Sequence, residues 1–170
     1  PSSKVVYITF DDGPIPECTP LVLDILSKYG IHATFFMVAE NAQRYPELLQ
    51  RVREEGHSIG NHTYHHLRGC KTTKQTYMQD IAVAKQVLQT SLFRPPHGRM
   101  TCSQKKALRE AGYQIYLWDV LTHDYNPKYT PEKMLRIVQR FTRNGSIIVL
   151  HDSLKSKDRM LQALPQIIKW

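Results

Sequence analysis

Two carboxylates stand side by side in "YITFDDGP" (Tyr7–Pro14), directly after a strand-like run. A turn needs only one Asp ahead of its Gly, and adjacent carboxylates repel unless a cation sits between or beside them. In "NHTYHH" (Asn61–His66) three imidazoles fall within five residues. A helical turn would point His62 and His66, four apart, in the same direction. Neutral imidazoles at that spacing suit a borderline divalent metal such as zinc. His65 faces elsewhere on this reading and is not expected to be a ligand. A catalytic site of this kind needs a third protein ligand and an open position. One carboxylate of Asp11-Asp12 can supply that ligand while the other stays free as a base, since adjacent side chains in an extended segment point apart.

Two further segments carry groups that hydrolysis needs. "RPPHG" (Arg94–Gly98) places a fixed cation before a rigid Pro-Pro and a flexible Gly. Arg94 can orient a neighbouring carboxylate and hold it ionised through a bidentate pair. The backbone N–H of His97, beside Gly98, is a candidate oxyanion donor. Taken alone, the segment reads equally well as a loop stiffener. "IIVLHDS" ends an apolar strand with His151-Asp152. A lone His there is more often structural, but hydrolysis needs a general acid near neutral pH, and His supplies one. Asp124 in "THDYN" can pair with His151 and raise its pKa, keeping it protonated before reaction.

These residues need a scaffold that gathers them. Strand-like and helix-like segments alternate along the whole chain. "VVYITF" (Val5–Phe10) precedes "TPLVLDILSKYG", whose Pro20 and Gly30 fit helix punctuation. "ATFFMV" (Ala33–Val38) leads to a helix over Pro46–Gly56, and a short "HSIGN" precedes a long helix from about Thr73 to Gln89. "LFRPP" is a brief strand stopped by Pro. Then come a helix over Ser103–Ala111, one strand over Gln114–Val120, a helix opened by Thr130-Pro131, "SIIVL" (Ser146–Leu150), and a last helix from about Asp158 to Ile168. Six alternations with near-continuous apolar strands predict a parallel α/β sheet, open or closed into a barrel. Every polar cluster follows a strand end, and in such folds those ends gather on one face.

The 170 residues fit a single domain, residues 1–170, with a core that needs no staples. The formal charge of +8 invites a nucleic-acid reading. Lys and Arg are scattered, however, and no basic cluster is interleaved with aromatics as a single-strand binder requires. A solvated basic surface, useful near anionic polymers such as cell walls, fits better. The longest apolar runs are strand-sized, so no transmembrane segment is expected. No signal peptide is visible, and the chain starts at Pro1 without Met, consistent with removal of an upstream piece. Cys18, Cys70 and Cys102 form no CxxC pair and read as small buried hydrophobes; a Cys18–Cys70 bridge is conceivable.

"TFDDG", "HTYHH", "RPPHG", "HDY" and "LHD" come in the order found in the polysaccharide deacetylase family (NodB-homology domain, carbohydrate esterase family four), which the chain resembles from about Val5 to Leu164. The resemblance implies a distorted (β/α)7 barrel, with six strands visible here and a seventh missing or lying beyond Trp170. It implies a metal-dependent hydrolase removing acetyl groups from an N-acetylated glycan such as peptidoglycan, chitin or a chitooligosaccharide. Carried over by residue, Asp11 is the general base, and Asp12, His62 and His66 bind one divalent ion, zinc first, with cobalt, nickel or manganese as alternatives. Arg94 is the partner of Asp11, His151 the general acid, Asp124 the group that tunes His151, and the His97 N–H the oxyanion donor. Tyr125 and Leu150 are expected to line the substrate pocket. The chain departs from the family in carrying His97 in place of a Tyr, Leu121 where an acidic residue often stands, and Tyr125 in place of a Trp, which changes a wall of the acetyl pocket. An O-acetyl esterase acting on xylan or another polysaccharide, a non-catalytic glycan-binding module and a metallo-phosphodiesterase are the rival readings; the last would want more carboxylates to hold two metals. The expected partner is an acetylated glycan and not nucleic acid, the expected state a monomer, and the expected location outside the cell or facing its envelope.

Overall fold

The structure, a computed structural model, describes residues 4–170. Seven parallel strands form one curled sheet: β1 (Tyr7–Asp11), β2 (Thr34–Met37), β3 (Ser58–Asn61), β4 (Leu92–Phe93), β5 (Gln114–Ile115), β6 (Val120–Leu121) and β7 (Ile147–His151). Their order is β5-β4-β3-β2-β1-β7-β6, so β5 and β6 are the two edges. Seven helices complete the alternation: α1 (Thr19–Lys28), α2 (Ala39–Arg44), α3 (Pro46–Glu54), α4 (Lys74–Leu88), α5 (Cys102–Glu110), α6 (Pro131–Phe141) and α7 (Lys157–Lys169). Parallel neighbours require such crossovers.

Strand alternation divides the side chains between two environments. In β1, Ile8 and Phe10 enter the core beneath the helices, with Val22, Leu23 and Leu26 of α1 and Met160, Ala163 and Leu164 of α7. Tyr7 and Thr9 face the inner side of the curl, where they line a small cavity with Thr34, Phe36 and Arg94. Asp11 follows in the same inward phase. Burying two leucines and a phenylalanine of this core contributes about 1.5–3 kcal/mol each, which fixes the register and therefore the height of Asp11. A second core, Tyr77 and Ile81 of α4 with Phe93, Leu108 and Tyr113, anchors the β4–β5 side.

Three sequence expectations need correction. The described residues form seven strands, not six, because the run over Gln114–Val120 is two short strands separated by Tyr116–Asp119. The carbonyls of Tyr116 and Leu117 turn inward and accept from Arg94 Nε and Nη2 at 3.2 and 3.1 Å. A buried guanidinium takes the acceptors that a continuous strand would have used for pairing. Two consecutive helices, α2 and α3, replace the single one expected between β2 and β3. All three cysteines are free, Cys18 buried and Cys70 and Cys102 exposed, so the conceivable Cys18–Cys70 bridge is not formed.

Candidate active site

The carboxyl ends of the strands carry the polar clusters, as their positions in the sequence imply. Asp11 is the register partner of both Phe36 in β2 and His151 in β7, which places the first carboxylate and the last histidine on neighbouring strands at one height. Asp11 is buried, and its Oδ1 accepts from Arg94 Nη1 at 2.8 Å. Arg94 is itself fully buried, donates to Thr9 Oγ1 at 2.7 Å, and lies 4.1 Å from the Phe36 ring centroid and 5.5 Å from that of Trp118. With the Tyr116 and Leu117 carbonyls, four of the five N–H donors of its fork have acceptors. Trp118 in turn packs on Gly98, where a Cβ would lie 2.7 Å from the indole.

Asp12 turns away from Asp11 through a left-handed backbone (φ 85) and meets two imidazoles. Its Oδ1 lies 3.5 Å from His62 Nε2 and 3.2 Å from His66 Nε2. The three side chains bring one ligand atom each within 4.8 Å of one another. Burial opposes ionisation of Asp12, yet the neighbouring imidazoles of His62 and His66 hold its carboxyl far below the usual carboxylate range. His62 Nδ1 bonds the Arg94 carbonyl oxygen at 2.7 Å and must therefore carry the proton, leaving a lone pair on Nε2. That Nε2 is buried without a partner. A buried acceptor left unmade is costly, and this one points at a carboxylate and a second imidazole. The donor set fits a divalent ion of the zinc type.

The two histidines do not converge by a helical turn. Asn61 ends β3, and the chain continues as a loop with positive φ at Thr63 (65) and His66 (56). Side chains beneath the loop compensate for that conformation: Asn61 Oδ1 accepts from the Thr63 N–H at 2.8 Å, and Asp80 of α4 accepts from the Tyr64 and His65 N–H groups at 2.8 and 3.0 Å. The His65 ring bonds Asp80 and is not among the three clustered side chains.

On the opposite wall, His151 Nδ1 donates to Asp124 Oδ1 at 2.8 Å, and the His151 N–H donates to Asp124 Oδ2 at 2.6 Å. Burial lowers the tendency of His151 to be charged, but Asp124, with Asp12 and Asp11 behind it, raises it to about 9. The imidazole is therefore a proton carrier with its Nε2 free for the cavity. Tyr125 meets it edge-on, ring centroids 5.3 Å apart. A cavity of about 540 Å³ joins these groups, and Asp11, Asp12, His62, His66, His97, Tyr125 and His151 all line it. His97 takes a left-handed conformation (φ 59) with its ring 5.0 Å from that of His66. Larger space, about 750 Å³, opens at the other end of the strands among Val5, Ile31, Val138 and Ile167, with no convergent catalytic groups.

Leu150 is the one predicted site residue that lies elsewhere. It is fully buried in the core beneath the helices. Next to an inward-facing His151 it must face outward, because side chains alternate along a strand. Leu121, Trp118, Arg68, Ser153 and Lys155 supply the cavity walls instead.

Asp152 is the residue that sequence reasoning passed over, although it stands inside the quoted "LHD". Its Oδ1 accepts from the Gly13 N–H at 3.1 Å and its Oδ2 from Thr19 Oγ1 at 2.7 Å, while its own N–H donates to the Asp11 carbonyl at 3.2 Å. Burial pushes this carboxyl up to about 7 against the pull of Thr19 and Gly13. It clamps the turn that carries Asp11 and Asp12. A Cβ on Gly13 would lie 2.0 Å from Asp152 Oδ2, so Gly13→Ala is expected to destabilise the fold by about 1–3 kcal/mol, as overpacking does. A lowered urea midpoint at unchanged slope is the measurement.

The sequence profile described as Polysaccharide deacetylase matches residues 1–116. The chain belongs to the polysaccharide deacetylase family. Among members of that family it is 38% identical to the peptidoglycan-N-acetylglucosamine deacetylase of Bacillus cereus, over 98% of this chain and 81% of the relative. It is 30% identical to the peptidoglycan-N-acetylmuramic acid deacetylase PdaC of Bacillus subtilis, over 99% of this chain but only 36% of that longer protein. A crystal structure of a peptidoglycan N-acetylglucosamine deacetylase, in complex with 4-naphthalen-1-yl-N-oxidanyl-benzamide, superposes with a TM-score of 0.93 at 33% identity, covering 96% of this chain and 79% of that one. The curled sheet is the distorted (β/α) barrel of these deacetylases.

Proposed function

We propose that residues 1–170 form a catalytic domain that hydrolyses the acetamide of an N-acetylated cell-wall or chitin-type glycan outside the cell or at its envelope. The family and its peptidoglycan-acting relatives support the substrate class. Among the described residues no helix is long and apolar enough to cross a membrane. The observation that carries the reading is the orphaned lone pair of His62 Nε2, facing Asp12 and His66 between two oriented pairs, Asp11–Arg94 and His151–Asp124.

Asp12, His62 and His66 would hold one divalent ion, which when bound polarises a carbonyl and acidifies water. Asp11 is the base: Arg94 occupies its Oδ1, so Oδ2 is left to take the proton of the attacking water. The His97 N–H donates to the oxygen on which charge develops. His151 gives its Nε2 proton to the amine nitrogen as the C–N bond breaks, which an amine requires because it leaves poorly unprotonated. Tyr125 and Leu121 bound the space for the acetyl group.

Release of acetate from chitooligosaccharide, peptidoglycan and acetylated xylan, measured side by side, tests the reading. Acetate from xylan alone would convert it to an O-acetyl esterase. Metal analysis tests the ion site: the His62→Ala, His66→Ala double variant is expected to lose its metal, and full occupancy in that variant would remove the site.

A further inference from the structure

The site cavity does not end at His97. Beyond it lies a second cavity of about 340 Å³, lined by Arg68, Cys70, Lys71, Pro96, His97 and Arg99. Arg68 and His97 line both, so the two spaces share a wall. Three of the six lining residues are cations and none is acidic. Among the described residues, neither Arg68, Lys71 nor Arg99 makes a salt bridge. Arg51, by contrast, is held between Asp24 and Glu55.

The floor of this second cavity is built. Gln104 Nε2 donates to the carbonyls of Gly69 and Thr72 at 2.8 and 3.0 Å, and its Oε1 accepts from the Thr101 N–H at 2.9 Å. The loop bearing Lys71 is thereby fastened to the loop bearing Arg99. Arg68 Nε donates to His97 Nε2 at 3.2 Å, which holds its guanidinium at the boundary of the two cavities. Three like charges around one hollow repel each other, and an anion entering it would relieve that repulsion.

An acetamido group is neutral and needs none of these cations. An anion held there would belong to a part of the glycan beside the sugar being deacetylated. We propose that this basic cavity is a subsite for a carboxylate on the neighbouring sugar, so that the preferred substrate is an acidic, carboxylate-bearing N-acetylated glycan. A guanidinium fork matches a carboxylate in two-pronged geometry. The inference rests on the deacetylase reading above and adds which glycan it prefers.

Calorimetric binding of three tetrasaccharides of equal length tests it. One is built of N-acetylglucosamine alone, one carries a lactyl ether carboxylate on alternate sugars, and one carries the same lactyl groups as carboxamides. The parent protein is expected to bind the carboxylate form about two- to fivefold more tightly than the carboxamide, the range that an exposed ion pair allows. Raising salt should shrink that margin. The Lys71→Gln, Arg99→Gln double variant should lose the margin while binding the all-N-acetylglucosamine form as the parent does. Equal affinity of the parent for carboxylate and carboxamide would overturn the proposal, as would an equal loss on all three ligands in the variant. Binding is read without turnover, so failure to release acetate would count against the deacetylase reading alone.

Discussion

Asp11→Asn is expected to lower turnover about a hundredfold to ten-thousandfold, the range of a general-base contribution, with metal content unchanged at about one ion per chain. The substitution keeps the shape of the side chain and its contact with Arg94, which donates to Oδ1 at 2.8 Å. It replaces the oxygen or the proton affinity that the attacking water needs. Asp12→Asn, one residue on, should behave differently. Its Oδ1 faces His62 and His66 Nε2 at 3.5 and 3.2 Å, so a neutral amide there weakens the ion itself. Excess metal should restore part of the activity of Asp12→Asn and none of Asp11→Asn. Rescue in the opposite sense would exchange the two roles. Metal content by elemental analysis, run beside initial rates, separates them.

The second large effect concerns His151. His151→Ala is expected to cost about a hundredfold to ten-thousandfold on an acetamide and far less on an activated aryl acetate, whose leaving group needs no proton. Equal losses on both substrates would make the residue structural. Its pH signature follows from its surroundings. Burial disfavours the imidazolium, Asp124 and the two site carboxylates outweigh it, and the group sits at about 9. Protonated His151 is thus the dominant form below that value, and the amide-hydrolysis rate should fall as pH rises through it. Asp124→Asn removes the main favourable partner and leaves burial, so the alkaline limb should move down by more than a pH unit. The loss in that variant should be greater at pH 8 than at pH 6. An unshifted limb would detach Asp124 from the acid role. The same raised value stabilises the folded state below the ordinary His pKa, and that contribution fades as pH passes about 9.

The sequence by itself determined the alternation of strands and helices and the residues that converge. Parallel strands with polar clusters after their carboxyl ends leave one place for those clusters to meet. Asp11, Asp12, His62, Arg94 and His151 are there because each stands at or within one residue of a strand end. What period and spacing fixed is the strand phase; what they could not fix is the path of the chain between strands. His62 and His66 meet through a left-handed loop held by Asn61 and Asp80, not through a helical turn, because those two side chains take up the N–H groups that a helix would have used. Leu150 and His151 are neighbours in sequence and lie on opposite faces of the sheet, which only the register of β7 against β1 decides. The run over Gln114–Val120 divides because a buried guanidinium from β4 needs its carbonyls, a demand made from more than twenty residues away. Asp152 joins the site for the same reason: its partners Gly13 and Thr19 stand over 130 residues earlier, and only the pairing of the first and last strands brings its buried carboxyl against the turn it holds.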